Sequence, residues 1–316
     1  MRSGNRGDEH ARVYSRCMTT ANGHPRVGVI GLGIMGGAFA GHIASARVST
    51  IGYDVVADRI QELEARGVTP GSSPASVAEL ADVVITSLPS VKAFEAALFG
   101  DRGLISKARQ GLLVVETSTF PLEAKESARA RLADKGIAML DAPVSGTGPQ
   151  AQVKDILVIA SGARGDFDRA QPTLSHFARS VRYVGEFGAG SKVKYVANLL
   201  ITIHTLAAAE ALVLGEKAGI DRKALLEVLM DSAATSRMLQ VRGPAMIADT
   251  YTTPMIKVET FQKDLDIIGA FARECQCPAP LFNASIPLYT AAGAQGMGGY
   301  DIGAVVSVLR QMSGQL

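Results

Sequence analysis

Short apolar runs alternate with segments of helical periodicity between residues 26 and 184. The runs are Val27–Ile30, Val48–Tyr53, Val83–Leu88, Leu112–Glu116, Ala138–Leu140 and Ile156–Ala160. Apolar runs of this length are typical of buried strands, and their alternation with helices predicts a mostly parallel α/β sheet. Because ligands of such sheets bind beyond the carboxyl ends of the strands, we expect the functional residues to follow these runs.

The pattern changes near residue 190, where the strand-like runs stop. Lys192–Gly219 predicts one long helix, and Asp221 is the expected cap of the next. Further helical patterns cover Pro254–Glu274, Leu281–Gln295 and Asp301–Met312. We therefore predict a leader at 1–24, an α/β domain at 25–189 and an all-helical domain at 190–316, with the long helix joining the two domains.

Composition and charge narrow the class of protein. Hydrophobic residues make up 47% of the 316 residues and charged residues 20%, which is ordinary for a globular protein. The net charge of +2 does not favour binding to nucleic acid. The three cysteines, Cys17, Cys275 and Cys277, form neither a paired framework nor a zinc motif. We expect free thiols in a reducing cytoplasm and no metal.

Two segments raise the question of targeting. Residues 1–24 are rich in Arg, Gly and Ser and lack the apolar core of a secretory signal, so we expect a disordered leader. The apolar stretch from Val193 to Leu214 is interrupted by Asn198, His204 and Glu210. A buried helix of a soluble protein is therefore expected there rather than a membrane span.

The first apolar run leads into a glycine-rich loop, Gly31-Leu32-Gly33-Ile34-Met35-Gly36, and a helical pattern follows. Gly31 permits the sharp turn, Gly33 lets the backbone approach a pyrophosphate, and Gly36 lets helix and strand pack closely. Asp54 lies 23 residues beyond Gly31, where a carboxylate accepts hydrogen bonds from an adenosine ribose. Strand, loop, helix and acid together predict a dinucleotide-binding site.

Three later segments carry candidate chemistry, and each also has a purely structural interpretation. Gly188-Ala189-Gly190 precedes Lys194 and Asn198, which share one face of the long helix. Residues 141–149, with Ser145, form a Pro- and Gly-containing loop that suits a carboxylate or is an ordinary turn. Lys263 reaches a cofactor or substrate, or pairs with Asp264 on the surface. Spacing alone favours the structural interpretation of Lys194, Asn198 and Lys263, and it does not decide for the loop at 141–149.

The order and spacing of these four motifs resemble the β-hydroxyacid dehydrogenase family, which includes 3-hydroxyisobutyrate dehydrogenases and tartronate semialdehyde reductases. The resemblance extends from Arg26 to the C-terminus. It implies a Rossmann domain that binds nicotinamide, an all-helical domain that helps to form a homodimer or homotetramer, and a small carboxylic acid substrate between the domains. It also favours the functional interpretation of Lys194, Asn198 and Ser145.

The resemblance assigns expected roles to individual positions. Lys194 matches the catalytic lysine and Asn198 the substrate-orienting asparagine. The residues expected to bind the substrate are Ser145, Gly146, Thr147 and Lys263. The residues expected to bind the cofactor are Gly31, Leu32, Gly33, Ile34, Met35, Gly36, Asp54, Leu88, Pro89, Thr119 and Lys263.

These assignments predict a cytoplasmic oxidoreductase that interconverts a 3-hydroxy acid and its semialdehyde by hydride transfer, with Lys194 as general acid and base. Asp54 favours NAD, because a carboxylate repels the 2′-phosphate of NADP, although Arg59 lies close enough in sequence to meet that phosphate. The alternatives are an imine reductase-like enzyme on the same scaffold and a cofactor-sensing module without turnover. A family-typical lysine at 194 argues against both.

The chain departs from the family pattern after Gly146. Thr147 and Gln150 stand where glycines are common in the family, and Lys154 stands near another such position. One hypothesis is a larger or more polar substrate with Gln150 as an extra contact. The alternative is a loop shifted outward with no change of substrate.

Overall fold

A computed structural model describes residues 25–315, so the predicted leader and Cys17 lie outside the described residues. The chain divides into two compact units, of which the first ends at Ser191 and the second begins at Lys192. The sequence-predicted boundary lies between residues 189 and 190. The division differs slightly because the first turn of the long helix packs with unit 1.

Unit 1 contains a parallel sheet of six strands. The strands are β1 (Val27–Ile30), β2 (Thr50–Tyr53), β3 (Thr69–Pro70), β4 (Val83–Thr86), β5 (Leu113–Glu116) and β6 (Ala138–Asp141). Their order is β3-β2-β1-β4-β5-β6, and every neighbouring pair is parallel. This is the strand order of a Rossmann fold, with the topological switch point between β1 and β4. The predicted fold class is confirmed.

Helices connect these strands and cover both faces of the sheet. They are α1 (Ile34–Ser45), α2 (Ala57–Glu64), α3 (Pro74–Leu80), α4 (Val91–Phe99) and α5 (Leu122–Ala133). Val114 and Val115 are both fully buried but belong to separate apolar clusters. Because successive strand residues point to opposite faces, the continuous apolar runs are those of a sheet buried on both sides.

A smaller sheet completes unit 1. It contains β7 (Val144–Ser145), β8 (Leu157–Ala160) and β9 (Ser180–Tyr183), with α6 (Gly148–Gln152) after β7 and α7 (Arg164–Leu174) after β8. β7 pairs antiparallel with β8, and β8 pairs parallel with β9. Of these strands the sequence predicts only β8. β7 has two residues, and β9 is partly exposed with Arg182 in it, so neither gives a continuous apolar run.

Unit 2 is helical. Its helices are α8 (Ala189–Lys217, with its first turn in unit 1), α9 (Arg222–Asp231), α10 (Arg237–Ala248), α11 (Val258–Glu274), α12 (Pro280–Ala292) and α13 (Val305–Met312). The side chain of Asp221 accepts hydrogen bonds from the first turn of α9, as its predicted capping role requires. The core includes buried Tyr195, Phe261 and Tyr289.

Three predicted helix boundaries in unit 2 are wrong, and one helix is missed. α11 begins at Val258 rather than Pro254, a π-helical turn at Gly293–Met297 follows α12, and a 3-10 turn at Ile302–Ala304 precedes α13. α10 escapes prediction because Gly243-Pro244 lies inside it. A Cβ at Gly243 would lie 2.6 Å from Leu226, so close helix packing explains this glycine.

Among the described residues, one helix, α8, has the length and hydropathy of a membrane span. Core helices of soluble proteins pass the same test, and 44% of its most apolar window is buried within the protein. This observation is weak evidence for a membrane.

Candidate active site

The glycine loop lies at the switch point between β1 and β4. Gly31 has a φ of +91°, and a Cβ there would lie 2.2 Å from the carbonyl oxygen of Ser87, which follows β4. A Cβ at Gly36 would lie 1.9 Å from the carbonyl oxygen of Gly31. Gly33 differs, because a Cβ there meets no protein atom within 4 Å. Two glycines therefore close the turn, and the third faces open space.

The N-terminus of α1 offers hydrogen-bond donors to a ligand. Gly33 is the N-cap, no side chain caps this helix, and its first turn holds no acidic residue. Ser73 and Ser90, by contrast, cap α3 and α4 with their hydroxyls. The exposed N–H groups and the positive end of the helix dipole suit an anion. The loop from Gly31 through Leu32, Ile34 and Met35 to Gly36 thus fits a dinucleotide pyrophosphate.

Asp54 follows β2 and is bonded to the glycine loop. Its Oδ2 accepts a hydrogen bond of 2.7 Å from the backbone N–H of Leu32, and its Oδ1 accepts one of 2.9 Å from Val56. Arg59 lies 3.3 Å from both oxygens, and its side chain is 48% exposed. The carboxylate therefore connects the ends of two adjacent strands and holds a cation beside them.

The other predicted cofactor loops follow β4 and β5. The backbone N–H of Leu88 donates to Oγ of Ser118 at 2.9 Å, which joins the two loops that carry Pro89 and Thr119. The parallel strands explain this proximity, because the carboxyl ends of β4 and β5 meet at one edge of the sheet.

A buried ionic network lies at the ends of β5 and β6. Lys125 on α5 places its Nζ 2.7 Å from Oε2 of Glu116 and 2.8 Å from Oδ1 of Asp141, and all three side chains are fully buried. Burial raises the pKa of Glu116, although the charge and hydrogen bond of Lys125 oppose that shift. Asp141 also accepts hydrogen bonds of 2.7 Å from N and Oγ of Ser191 in the first turn of α8.

Gly188 and Gly190, which precede Lys194, have packing roles. Gly188 has a φ of +92°, and a Cβ at Gly190 would lie 2.4 Å from the carbonyl oxygen of Ile159 on β8. The backbone N–H of Gly190 donates to Oγ of Ser161. Another chain segment thus approaches the start of α8.

The predicted carboxylate-binding loop begins at β7. Ser145 pairs with Leu157 of β8, and Gly146 has a φ of +148° with no room for a Cβ beside Ile156. Thr147 caps α6, and its N–H and Oγ1 both donate to Oε1 of Gln150 at 3.0 Å.

Gln150 makes hydrogen bonds within the loop, and the extra substrate contact hypothesised from sequence stays a hypothesis. Its Nε2 donates to Oδ2 of Asp155 at 3.1 Å, so both ends of its amide are bonded within the loop. Lys154 has a φ of +61°, a left-handed conformation that favours glycine and so agrees with the glycine common near this position in the family.

Unit 2 brings together Lys194 and Asn198 of α8 with Lys263 and Asp264 of α11. Lys194 is 9% exposed and Asn198 is 4% exposed. Nδ2 of Asn198 donates to Oδ2 of Asp264 at 3.0 Å, and Nζ of Lys263 lies 3.5 Å from Oδ1 of Asp264. The ion pair that spacing alone favours for Lys263 is thus present, within a larger cluster.

Burial gives Lys194 unusual acid–base properties. Desolvation lowers the pKa of its ammonium, the charge of Asp264 opposes that shift, and the charge of Lys263 reinforces it. Desolvation likewise raises the pKa of Asp264, against the influence of the two lysines. A lysine whose pKa is lowered exchanges a proton near neutral pH more readily than a solvated one.

The cofactor-loop residues lie together in unit 1, and Lys194, Asn198 and Lys263 lie together in unit 2. Sequence reasoning gave no role to Glu116, Lys125 or Ser191. The available sequence signal for Glu116 was the presence of a glutamate at the end of the apolar run of β5. That run does not reveal the partner Lys125, which lies on another element. Within residues 25–315, no group of three or more His, Cys, Asp or Glu side chains is arranged to hold a metal ion.

Comparison with known proteins identifies both units. Residues 26–185 match the family model described as the NAD binding domain of 6-phosphogluconate dehydrogenase. Residues 188–309 match the model described as NAD-binding of NADP-dependent 3-hydroxyisobutyrate dehydrogenase. Both models agree with the Rossmann order of unit 1 and the helical character of unit 2.

Individual relatives match along nearly their whole length. L-threonate dehydrogenase of Cupriavidus necator is 36% identical over 89% of this chain and 95% of its own. 2-Hydroxy-3-oxopropionate reductase of Escherichia coli is 31% identical over 91% and 98%. The crystal structure of a 3-hydroxyisobutyrate dehydrogenase from Salmonella typhimurium superposes with a TM-score of 0.81 at 31% identity, over 90% of this chain and 99% of that one.

The family models, the relatives and the fold agree, and they confirm the resemblance drawn from the four motifs. The chain belongs to the β-hydroxyacid dehydrogenase family of NAD(P)-dependent oxidoreductases.

Proposed function

We propose that this enzyme oxidises a small polyhydroxylated acid reversibly, with Lys194 as general base in oxidation and general acid in reduction. The observation that carries the proposal is the burial of Lys194 beside Asn198 and Asp264. When bound, the nicotinamide cofactor accepts or supplies the hydride. Nζ of neutral Lys194 takes the proton from the substrate hydroxyl, and its ammonium returns that proton in reduction.

The printed names of the relatives support the proposed substrate class. Several relatives are L-threonate dehydrogenases, at 31–36% identity. L-Threonate carries hydroxyls on three carbons, so it is more polar than 3-hydroxyisobutyrate. We propose that Ser145, Gly146 and Thr147 hold the substrate carboxylate and that a four-carbon polyhydroxy acid is preferred. Lys263 closes over cofactor and substrate.

The test compares Lys194→Ala with Lys192→Ala, which removes an exposed lysine from the start of the same helix. Loss of a positioned acid or base costs on the order of 10²- to 10⁴-fold in turnover. We expect that loss in kcat for Lys194→Ala, unchanged NADH affinity, and near-parental kcat for Lys192→Ala. Turnover of Lys194→Ala within a few-fold of the parent would remove this lysine from the mechanism.

A panel of acids tests the substrate class. L-Threonate, 3-hydroxyisobutyrate and glycerate are compared by kcat/KM, and the oxidised product identifies the carbon that loses hydride. Preference for 3-hydroxyisobutyrate would reject the polyhydroxy acid.

We propose NAD as the preferred cofactor, supported by the carboxylate of Asp54 at the end of β2. Arg59 complicates the choice, because its half-exposed guanidinium is suited to a 2′-phosphate. The kcat/KM values for NADH and NADPH are compared in the parent and in Arg59→Ala. We expect NADH to be preferred in both, more strongly in the variant. A parent that prefers NADPH contradicts the role given to Asp54.

Two other functions are tested in the same experiments. An imine reductase-like enzyme would reduce a cyclic imine and turn over none of the acids. A cofactor-sensing module would bind NADH and turn over no substrate. Oxidation of any acid in the panel with loss of activity in Lys194→Ala rejects both. A homodimer or homotetramer located in the cytoplasm is the expected state of the enzyme.

A further inference from the structure

Asp264 contacts Asn198 and Lys263, and its charge acts on Lys194. It accepts a hydrogen bond from Asn198, lies 3.5 Å from Lys263, and exerts its charge on Lys194. We propose that Asp264 is a positioning residue, which fixes the carboxamide of Asn198 and balances the charge of protonated Lys194. This inference rests on the proposed role of Lys194.

The hydrogen bond to Asp264 determines which way the amide of Asn198 faces. An ionised carboxylate only accepts hydrogen bonds, so it must meet the amide nitrogen of Asn198. The distance of 3.0 Å is that of an ordinary hydrogen bond. The amide oxygen of Asn198 is then turned away from Asp264. It becomes an acceptor for a group that carries a proton, such as the substrate hydroxyl or the ammonium of Lys194.

Because Lys194 is buried, the negative charge of Asp264 matters for its protonation. Lys194 is nearly inaccessible to water, and a buried cation is costly unless a partner compensates it. The charged side chains whose fields act on Lys194 are Asp264 and Lys263, both on α11. Without Asp264, protonated Lys194 would face a second cation alone. The carboxylate of Asp264 thus stabilises the protonated form of Lys194.

Asp264 also retains an unused acceptor. In the part of the chain that the structure describes, no donor makes a hydrogen bond to its buried Oδ1. Lys263 lies 3.5 Å from this atom, which is an ion-pair distance. A buried carboxylate oxygen with capacity left can accept a proton-bearing group that enters the site.

Asp264→Asn separates the charge of Asp264 from its hydrogen bond. The amide oxygen of an asparagine can still accept from Asn198, but the negative charge is gone. Since a nearby carboxylate favours the ammonium form of lysine, its loss favours the neutral form. We expect the midpoint of the kcat/KM–pH profile for oxidation to move to lower pH. In reduction, which needs the ammonium, activity should begin to fall at lower pH than in the parent.

Asp264→Ala removes both the charge and the acceptor. Asn198 then loses the bond that orients it, and misplacement of a site group by about 1 Å can cost on the order of 100-fold in rate. We expect kcat to fall by about 10- to 100-fold. Should this variant fail to fold, the pH midpoint of Asp264→Asn decides alone.

Asp266→Asn is the matched control, because Asp266 is exposed on the same helix two residues later. We expect its pH profile, kcat and NADH affinity to equal those of the parent, with Tm and NADH affinity as measures of folding. An unmoved or higher oxidation midpoint in Asp264→Asn overturns the inference, as does kcat within about twofold of the parent in folded Asp264→Ala. Inactive Lys194→Ala with unaltered Asp264 variants rejects this inference alone, whereas active Lys194→Ala rejects the proposed function.

Discussion

Gly33 and Gly36 belong to one loop but are required for different reasons. Gly36 is buried, and a Cβ there would overlap the backbone oxygen of Gly31, which cannot move without breaking the turn. Gly33 has open space around its Cα and an extended backbone that alanine can adopt. Gly36 maintains the fold, and Gly33 leaves room for a ligand.

Gly36→Ala should therefore lower stability, and Gly33→Ala should lower cofactor affinity. Overpacking of this kind costs about 1–3 kcal/mol, measured by urea denaturation of Gly36→Ala. For Gly33→Ala we expect an unchanged denaturation midpoint and an NADH Kd raised about tenfold or more, since the added methyl group occupies the space that a pyrophosphate needs. A Gly33→Ala protein that binds NADH like the parent contradicts the assignment of this loop.

Individual side chains show where prediction from sequence ends. The glycines were predictable because their chemistry follows from local spacing. The bond between Asp54 and the N–H of Leu32 was not, since it joins residues 22 positions apart through the pairing of β1 with β2. The bond between Gln150 and Thr147 was not predicted, because a departure from a family pattern does not reveal which local hydrogen bonds the new side chains make.

At the scale of elements, the ionic network joins α5, β5, β6 and the start of α8. Lys125 is the cation between the two buried carboxylates Glu116 and Asp141. Removal of one partner from such a network leaves charge in a water-free interior, which costs more than the network itself contributes.

Lys125→Met should destabilise the protein by about 3–5 kcal/mol at neutral pH. This loss of stability should shrink as the pH falls, because burial raises the pKa of Glu116 and its protonation removes an uncompensated charge. Lys107→Met is the control, since its exposed pair with Glu79 is worth about 0–1 kcal/mol. Urea denaturation at two pH values measures both. Equal losses in the two variants would show that burial of the network does not matter.

Elements with a continuous apolar run or a clear helical period were predictable from the sequence. Elements that depend on packing against the rest of the chain were not. The strands β1, β4 and β5 are apolar on both faces, so their sequences identify them unaided. α10 carries Gly243-Pro244, a pair that normally ends a helix, yet packing against Leu226 keeps it helical. β3 and β7 have two residues each and exist only through their pairing with neighbouring strands.

At the scale of the molecule, α8 presents an exposed apolar stripe. Val193, Val196, Leu200 and Leu214 are 43%, 54%, 46% and 72% exposed. Val193, Leu200 and Leu214 are separated by multiples of seven residues, so they lie on one face of the helix. Contiguous exposed apolar residues can mark a contact surface, and we expect this stripe to contact a second copy in the homo-oligomer that the family resemblance implies.

A double substitution, Val196→Glu with Leu200→Glu, should dissociate the oligomer. Placing two charges in an apolar contact leaves them desolvated without partners, which disfavours association. Size-exclusion chromatography with light scattering measures the mass of the parent, of the variant and of Lys192→Glu, an exposed control at the start of the helix. We expect the parent and control to be oligomeric without detergent. A monomeric parent would contradict the role of the stripe.

The network of Lys125, Glu116 and Asp141 also constrains how this protein can evolve. Three uncharged side chains of similar volume can be as stable as a buried ion network, but each single step toward them strands a charge. The intermediate sequences are less stable than either end state. We therefore expect the three positions either to change together or to keep their present residues.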